Sequence, residues 1–340
     1  MIKEAIDTLV SGQSLNMEQA ASVMEEIMNN EATPAQFGAF VTALRLKGET
    51  VEEIAGMARV MRTRAVLVAV SGPLVDTCGT GGDGSQTFNI STAAAFVVAG
   101  AGLKVAKHGN RGMSSGCGSA DVLEQLGVRI DLGAREVEKC LEEVGIGFMF
   151  APVFHPAMKY ASAPRREIGI RTVFNILGPL TNPAGAQAQM LGVADRSLTM
   201  KMAEVLRLLG CHHALVVHGE DGLDEITLGG QTTVCELEKG VIKGYSIDPE
   251  ELGFSMVSMD SLRGGSPLEN ADMLLMVLKG EKGPRRDIVL LNAAAALVAG
   301  EKAETIKDGI ALARETIDSG QALEKLEGLI KVSQKLRGKA

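Results

Sequence analysis

The first residues with the potential for chemistry form a glycine-rich stretch, residues 76–84 (DTCGTGGDG), which is followed by Asn89-Ile90-Ser91-Thr92 and an alanine-rich run. Glycines allow backbone N–H groups to close around a phosphate, and a helix that begins near Ser91 adds further N–H groups and a favourable dipole. Because Asp83 would repel a phosphate unless a cation or a ribose hydroxyl lay between them, this stretch predicts a phosphate site that uses Mg²⁺. A set of tight turns is the alternative interpretation.

The same stretch formally matches another phosphate-binding pattern. Its Gly79-x-Gly81-x-x-Gly84 spacing is that of a dinucleotide fingerprint, but no Asp or Glu occurs between Asp83 and Asp121 to bind the ribose of such a cofactor. A Walker A loop is excluded, because neither Gly-Lys-Ser nor Gly-Lys-Thr occurs in the sequence.

A second loop, residues 107–121 (KHGNRGMSSGCGSAD), contains one Lys, one Arg, three Ser and four Gly. Such a loop can surround phosphate oxygens with positive charge and hydroxyl donors. Its Gly112-x-Ser114-x-Gly116 spacing matches a hydrolase nucleophile elbow, but Gly-Asn-Arg precedes it in place of an apolar strand, which argues against an esterase. A solvated surface loop remains the alternative to phosphate binding.

A third segment, residues 218–225 (HGEDGLDE), follows an apolar run that predicts a buried strand. Ligands of open α/β sheets bind at the carboxyl ends of the strands. Asp224 and Glu225 at such a position suit Mg²⁺, which takes one or two carboxylates together with water and substrate oxygens. Taken alone, the segment is more typical of an acidic surface turn. Beside a phosphate loop, the metal site is favoured.

Three arginines, Arg165, Arg166 and Arg171, lie in a stretch that is dense in Pro, Arg and Gly and has no clear periodicity, residues 152–183. A guanidinium matches a carboxylate with two parallel hydrogen bonds, so one of these residues is a candidate to bind an acidic substrate. Surface ion pairs with Glu167 are the alternative. The stretch is either a long connection or a segment that crosses back to an earlier part of the chain, and the sequence leaves both open.

The five His and five Cys residues do not form a metal-binding pattern. His212 and His213 are adjacent, and neither HExxH nor CxxC occurs. We interpret His155 and His218 as structural, and the odd number of dispersed cysteines as reduced thiols of a cytoplasmic protein.

The elements that must position these residues follow from periodicity. Residues 2–66 show only helical patterns, with an apolar stripe along residues 17–28 and capping sequences at Thr33 and Thr50. From about residue 72, short apolar runs alternate with glycine-rich turns and helical patterns, which predicts an α/β domain with a largely parallel sheet. The last fifty residues return to helix. The predicted strands are residues 103–106, 146–150 and 214–217, with a hairpin at 232–237 and 241–247, and the predicted helices are residues 91–99, 120–126, 136–144 and 198–209.

Composition excludes several classes of function. The chain has 340 residues, of which 46% are hydrophobic and 22% charged, and its net charge of −8 argues against a nucleic-acid partner. Its two most apolar stretches, residues 93–103 and 288–299, are shorter than the roughly 18 residues that a membrane span needs. The amphipathic N-terminus is unlike a signal peptide. We therefore expect a soluble, cytoplasmic protein without a membrane or nucleic-acid partner.

Taken together, these segments resemble the anthranilate phosphoribosyltransferase family. The similarity covers GTGGD and NxST in the first loop, KHGNR and SSxxGSAD in the second, residues 150–183 almost throughout, and DGLDE at residues 221–225. It also covers QFGAF and KGET in the helical start, so it extends over essentially the full length. One departure is Gly116-Cys117, which stands where many members carry Lys-Ser.

The resemblance implies an enzyme of tryptophan biosynthesis that transfers the phosphoribosyl group of phosphoribosyl pyrophosphate (PRPP) to the amine of anthranilate, with Mg²⁺ as cofactor. It implies a fold like that of the nucleoside phosphorylases and phosphoribosyltransferases. A small helical domain at residues 1–70, joined by the crossover near residues 165–190, would accompany a large α/β domain at residues 71–340. PRPP is implied to bind between the two domains, and a homodimer is implied to form through the small one.

The resemblance also implies site roles by residue, although none as acid or base, because an aryl amine is neutral and nucleophilic at pH 7. The implied metal ligands are Ser91, Asp224 and Glu225, and the implied anthranilate contacts are Gly79, Asn110 and Arg165. The implied PRPP-binding residues are Gly79, Gly82, Asp83, Thr87, Asn89, Ile90, Ser91, Thr92, Lys107, His108, Gly109, Asn110, Arg111, Gly112, Met113, Ser114, Ser115 and Ser119.

Three alternatives remain beside this function. A pyrimidine nucleoside phosphorylase has a similar helical domain and glycine loop, but residues 152–183 and DGLDE favour the transferase. A non-catalytic relative that binds nucleic acid would need a basic cleft, which a net charge of −8 does not suggest. The chain could also be a structural partner of an anthranilate-producing subunit.

Overall fold

Four helices form the N-terminal part of the chain in the computed structural model, which describes residues 1–112 and 116–336. Three of them begin at capping boxes, in which the side chain of Asn16, Thr33 or Thr50 and the side chain three residues later each accept a hydrogen bond from the other residue's backbone N–H. The predicted helical start is confirmed. The helices are α1 (Ile2–Val10), α2 (Met17–Met28), α3 (Pro34–Lys47) and α4 (Val51–Thr63).

A sheet of seven strands lies at the centre of the remaining described residues. The strands are β1 (Leu74–Gly79), β2 (Lys104–Gly109), β3 (Ile146–Phe150), β4 (Ala188–Gly192), β5 (His213–Gly219), β6 (Thr232–Glu238) and β7 (Val241–Ile247). Their order is β3-β2-β1-β4-β5-β6-β7, in which the first five are parallel and the last two form an antiparallel hairpin. The predicted α/β class, parallel sheet and hairpin are confirmed, whereas periodicity alone did not identify β1 and β4.

Helices cover both faces of this sheet, and no helix in residues 1–112 and 116–336 is both long and apolar enough to cross a membrane. Short 3-10 helices occur at Pro156–Met158, Gly178–Leu180, Glu250–Leu252 and Met259–Leu262. The α-helices are α5 (Ile90–Gly100), α6 (Ser119–Gln125), α7 (Ala134–Glu143), α8 (Ala151–Phe154), α9 (Lys159–Ile168), α10 (Phe174–Leu177), α11 (Leu198–Leu208), α12 (Pro267–Leu278), α13 (Pro284–Ala299), α14 (Ile306–Asp318) and α15 (Gln321–Lys335).

The stretch that the sequence left undecided crosses back to the N-terminal helices. Helix α9 packs against α2 and α3, and α10 packs against α4. The rings of Phe37 and Phe174 lie 5.3 Å apart at this contact. Arg62 of α4 donates hydrogen bonds to the backbone oxygens of Leu180 (2.6 Å) and Leu209 (2.9 Å). One half-buried guanidinium therefore connects the N-terminal helices with the crossover and with the end of α11.

Two hydrophobic clusters lie on the two faces of the sheet, and the alternation along β5 shows which face each one covers. Leu215 and Val217 belong to the cluster that contains α5 and α13, whereas Ala214 and Val216 belong to the cluster that contains α2, α3, α4 and α11. Successive side chains of a strand point to opposite faces. The N-terminal helices thus share a core with the sheet.

The close packing of α2 on α4 predicts the effect of a single methyl group. A Cβ at Gly56 of α4 would overlap the backbone oxygen of Met17, which cannot move independently of α2. We expect Gly56→Ala to destabilise the protein by about 1–3 kcal/mol, the usual range for overpacking. Gly38→Ala in α3 is the matched control, since its nearest neighbour would lie 3.8 Å away, and helix propensity favours it by roughly 0.5–1 kcal/mol. Urea unfolding measures both, and equal effects would contradict the packing argument.

Candidate active site

The carboxyl ends of three neighbouring parallel strands bring the first glycine loop and the acidic segment together. Gly79 at the end of β1 is in register with Gly192 at the end of β4, and Gly192 is in register with Val217 of β5. A Cβ at Gly79 would overlap the carboxylate of Asp224, and a Cβ at Gly192 would overlap its backbone oxygen. These two positions are glycine because Asp224 lies directly over the strand ends.

Three carboxylates meet at this point. Asp224 accepts a hydrogen bond from the backbone N–H of Gly81 (2.7 Å). Its pKa is raised well above the ordinary value, first by burial and then by the charges of Asp83 and Glu225. Burial also raises the pKa of Glu225 to about 7, although hydrogen bonds from Ser91 oppose this shift. Like charges in a buried site are unfavourable unless a cation or a proton neutralises them.

The donor set of this cluster fits a divalent cation. Glu225 accepts hydrogen bonds on Oε1 from the backbone N–H of Ser91 (3.1 Å) and from its hydroxyl, whereas Oε2 is buried and has no hydrogen-bond partner among the described residues. Oδ2 of Asp83 is buried without a partner in the same way. Within residues 1–112 and 116–336, no group of three or more His, Cys, Asp and Glu side chains has the geometry of a complete metal site. Mg²⁺ commonly takes only one or two carboxylates and completes its shell with water and phosphate oxygens.

The start of α5 is held by contacts within the protein, and its predicted site side chains are already engaged. Ile90 and Thr92 are buried, so only their backbone can face the cleft. Asn89 donates to the backbone oxygen of Cys117 (3.2 Å) and accepts from Asn270 of α12 (3.0 Å). Thr87 forms an isolated antiparallel bridge with Arg263. The N–H of Ile90 is bonded to the backbone oxygen of Phe88 (2.8 Å) and that of Ser91 to Glu225 (3.1 Å), so the start of α5 is held in place beside the acidic cluster.

Two predicted residues of β2 are more buried than a phosphate contact requires. Lys107 is only 3% exposed, and its ammonium donates to the backbone oxygen of Thr77 (2.7 Å). Burial lowers the pKa of Lys107, and the charges of Asp76 and Glu225 oppose this change. In this arrangement the ammonium compensates buried carboxylates beneath the strand ends. Burial lowers the pKa of His108 to about 3, so its imidazole is neutral.

The second loop is described on both sides of Met113, Ser114 and Ser115, which lie outside the described residues. Arg111 pairs with Asp121 (2.9 Å) and Glu124 (2.8 Å) of α6, and its guanidinium lies 5.7 Å from the ring centroid of Phe150. This side chain therefore binds α6 in the structure.

Several other predicted residues surround the same loop. Gly109 approaches Ser119 so closely that a Cβ would overlap its hydroxyl. The side chain of Asn110 is exposed. Cys117 is buried, and its sulfur lies 3.5 Å from Oδ1 of Asn89. At the departure from the family sequence, the thiol thus packs inside the protein, whereas Gly116 adds no side chain.

The two neighbouring arginines of α9 have different surroundings. Arg165 is partly buried over the ring of Phe174, with its guanidinium carbon 5.4 Å from the ring centroid, and burial lowers its pKa. No carboxylate in the described part of the chain lies within ion-pair distance of Arg165. Arg166 is exposed. A partly desolvated guanidinium with unused donors is suited to a carboxylate ligand.

Asn270 and Asn292, which position the site, were not predicted, and Arg171, predicted only as a candidate to bind an acidic substrate, binds the glycine loop. Arg171 donates to the backbone oxygen of Gly81 (2.8 Å) and fills the space beside Gly82. Asn270 accepts from the N–H of Gly265 (2.7 Å) while it binds Asn89. Asn292 of α13 binds both backbone groups of Ile226, next to the acidic segment. A buried amide must be hydrogen-bonded, so the isolated Asn292 in the otherwise apolar stretch of residues 288–299 was the available signal.

Comparisons with known proteins agree over nearly the whole chain. The model of a glycosyl transferase family's α/β domain matches residues 71–323, and that of a glycosyl transferase family's helical bundle domain matches residues 3–65. An anthranilate phosphoribosyltransferase of Dehalococcoides mccartyi is 60% identical, and the alignment covers 99% of both chains. The crystal structure of the Thermus thermophilus enzyme of this name has a TM-score of 0.92 at 47% identity and covers 97% of this chain and 99% of that one. The Saccharomyces cerevisiae enzyme, in complex with PRPP and Mg, has a TM-score of 0.91 at 30% identity and 98% coverage of both.

The carboxylate cluster predicts how stability depends on pH in metal-free protein. The pKa of Glu225 is about 7 in the folded state and near 4.3 in an unfolded chain. At a pH between these two pKa values, Glu225 is protonated in the folded protein and ionised in the unfolded chain. The free energy of unfolding should therefore fall as the pH rises from about 4.5 to 7, by on the order of 2–3 kcal/mol from this group. Urea unfolding in EDTA at several pH values measures this slope.

Glu225→Gln should remove that part of the slope, because the amide stays neutral throughout. Glu220→Gln, at an exposed acid in the same segment, is the control and should leave the slope unchanged. An identical pH dependence in wild type and Glu225→Gln would show that burial does not raise the pKa of Glu225.

Proposed function

The chain belongs to the anthranilate phosphoribosyltransferase family, and we propose how its own residues carry out the family's reaction. That reaction transfers the phosphoribosyl group of PRPP to the amine of anthranilate and releases pyrophosphate, a step of tryptophan biosynthesis. The observation that carries the proposal is the meeting of the glycine loop with Asp83, Asp224 and Glu225 at the carboxyl ends of β1, β4 and β5.

PRPP binds, in this proposal, along residues 79–92 and 107–119. The support is the position of the glycine loop and the start of α5 directly beside the acidic cluster, to which the N–H groups of Gly81 and Ser91 are bonded. Backbone amides and a helix N-terminus stabilise phosphate without the desolvation of mobile side chains. Lys107 contributes from beneath, because its buried positive charge lowers the repulsion between the carboxylates and an anionic substrate.

Ser91, Asp224 and Glu225 are the residues that would hold Mg²⁺. The yeast relative was solved with PRPP and Mg, and the unpartnered Oε2 of Glu225 provides a free ligand atom in this chain. When bound, Mg²⁺ supplies neutralisation of the negative charge that develops on the departing pyrophosphate. The chain's own contribution is orientation: Ser91 fixes Glu225, and the N–H of Gly81 fixes Asp224.

Anthranilate binds, in this proposal, at Arg165, Asn110 and Gly79. The partly buried guanidinium of Arg165 is the group that pairs with the carboxylate and thereby orients the amine toward ribose C1. No acid–base residue is required, because an aryl amine is neutral at pH 7. Burial lowers the pKa of His108 to about 3 and that of His155 to about 4. Both imidazoles are therefore neutral at pH 7, and neither can act as a cationic acid.

The comparisons support the transferase and give no support to the phosphorylase or to the nucleic-acid-binding alternative.

We further propose that the chain divides into a helical domain, residues 1–70 with the crossover near 165–190, and an α/β domain, residues 71–340. The two matched models, which meet between residues 65 and 71, support this division. We propose a homodimer through the helical domain, where Val10 and Leu46 are strongly exposed apolar residues. The reduced, dispersed cysteines support a cytoplasmic location.

The function is tested by the loss of anthranilate fluorescence in the presence of PRPP and Mg²⁺. We expect turnover only when all three components are present, and we expect EDTA to abolish it and added Mg²⁺ to restore it. Asp224→Ala combined with Glu225→Ala should abolish the Mg²⁺-dependent turnover. Near-normal activity of this double variant at saturating Mg²⁺ would place the metal elsewhere.

Arg165 and Arg166 provide a matched pair for the anthranilate site. Arg165→Ala should raise the KM for anthranilate, at a cost of on the order of 1.5–3 kcal/mol for a lost charge-assisted hydrogen bond. The KM for PRPP should change little, and kcat should fall modestly because the carboxylate also orients the amine. Arg166→Ala removes the same charge from an exposed position and should have a much smaller effect. Equal effects, or a main effect on PRPP, would show that the carboxylate is bound elsewhere.

A further inference from the structure

The two ends of the second loop are joined by one carboxylate. Asp121 lies in the first turn of α6, and its Oδ2 accepts hydrogen bonds from the backbone N–H groups of Gly112 (2.9 Å) and Gly118 (2.9 Å). Its Oδ1 accepts from the guanidinium of Arg111 (2.9 Å). All three donors belong to the loop. One side chain thus fixes the loop before and after the residues that lie outside the described structure.

The backbone is close-packed at the same place. A Cβ at Gly118 would overlap the N–H of Gly112 and lie 2.5 Å from the backbone oxygen of Asn110. That oxygen also accepts a hydrogen bond from the N–H of Ala120 (3.2 Å). With no room for a side chain, hydrogen bonds must set the separation of the two loop ends, and Oδ2 of Asp121 makes two of them.

Asp121 is ionised at neutral pH. Burial would raise its pKa, but the N–H groups of Gly112 and Gly118 and the guanidinium of Arg111 outweigh burial and hold the pKa below its ordinary value. Hydrogen bonds to an ionised acceptor are roughly twice as strong as neutral ones.

Helix capping alone does not account for this arrangement. A capping box at α6 needs only the bond from Gly118, the N-cap residue. The bond from Gly112 spans the loop and adds nothing to the helix. Glu124, one turn later, binds the same Arg111 through both of its oxygens but is not bonded to a loop N–H in the described structure. Asp121 and Glu124 therefore both pair with Arg111, but within the described structure only Asp121 also accepts hydrogen bonds from backbone N–H groups of the loop.

We propose that Asp121 is a positioning residue for the reaction, which holds Gly112 and Gly118 at the separation that presents the described parts of the second loop, residues 107–112 and 116–119, to PRPP. Asp121 itself does not touch the substrate. The inference rests on the proposed function, in that the second loop is taken as part of the PRPP site. It assigns to Asp121 a role in PRPP affinity that Glu124 does not share.

The test compares Asp121→Ala with Glu124→Ala in steady-state kinetics and in direct PRPP binding by calorimetry. For Asp121→Ala we expect the Kd and KM for PRPP to rise about tenfold or more, since a tenfold change corresponds to about 1.4 kcal/mol, which is within the range for one or two charge-assisted hydrogen bonds. The KM for anthranilate and kcat at saturating PRPP should change less than the KM for PRPP, because Asp121 binds Arg111, Gly112 and Gly118 and not the side chain of Asn110, the loop's proposed anthranilate contact. Glu124→Ala should change each constant by less than about twofold, as expected for an exposed ion pair.

A conservative variant separates positioning from folding. Asp121→Asn keeps a carbonyl oxygen that can accept from both loop amides, so it should recover most of the PRPP affinity that Asp121→Ala loses. Hydrogen exchange at Gly112 and Gly118 should be faster in Asp121→Ala than in wild type, Asp121→Asn or Glu124→Ala. This exchange measurement needs no turnover, so it tests the carboxylate's hold on the loop even if anthranilate is not the substrate.

Two outcomes would overturn the proposal. In the first, Asp121→Ala and Glu124→Ala have equal PRPP constants, which would reduce Asp121 to an ion-pair partner of Arg111. In the second, the thermal midpoint, kcat and both KM values of Asp121→Ala deteriorate together and Asp121→Asn restores none of them, which would reduce Asp121 to a helix cap.

Discussion

The repulsion among three carboxylates, of which Glu225 is buried and Asp83 and Asp224 are half-buried, is the constraint on which the rest of the site depends. Asp83, Asp224 and Glu225 meet at the strand ends, and the pKa values of the last two are raised first by burial and then by this crowding. A protein maintains such a cluster only if neighbouring groups compensate it. The hydroxyl and N–H of Ser91 and the ammonium of Lys107 do so in part. The remaining negative charge is what makes the site attractive to a divalent cation.

The sheet provides the rigid support that this cluster requires. Parallel strands end at a common edge, so β1, β4 and β5 deliver their following loops to one place. Gly79 and Gly192 leave the space that Asp224 occupies, and Arg171 occupies the space beside Gly82. Asn292 fixes the backbone immediately after Glu225 from the helix below. The backbone and the polar side chains can therefore approach closely, because glycine has no Cβ atom and because hydrogen bonds hold each nearby segment.

The sequence by itself determined the elements whose stabilising contacts are local. The capping boxes at Thr33 and Thr50, the β6–β7 hairpin and the helical start follow from residues a few positions apart, and all are present in the structure. The chemistry-bearing loops were also recognisable, because clusters of glycine with charged residues have few structural explanations. Their resemblance to a known family then specified a substrate that residue spacing alone left open.

Only the tertiary structure decided how those loops are held. Periodicity gave no reason to bring α9 back against α2 and α3, to bury Lys107 beneath the strand ends, or to turn Arg111 toward α6. Each of these outcomes depends on partners that are distant in sequence or on the burial of a charge, and neither is visible in a local pattern. Asn270 is the plainest example, since its amide binds Asn89 across 181 positions of the chain. Local sequence specifies which groups are available, and the long-range packing of the sheet and its helices decides which of them face the substrate.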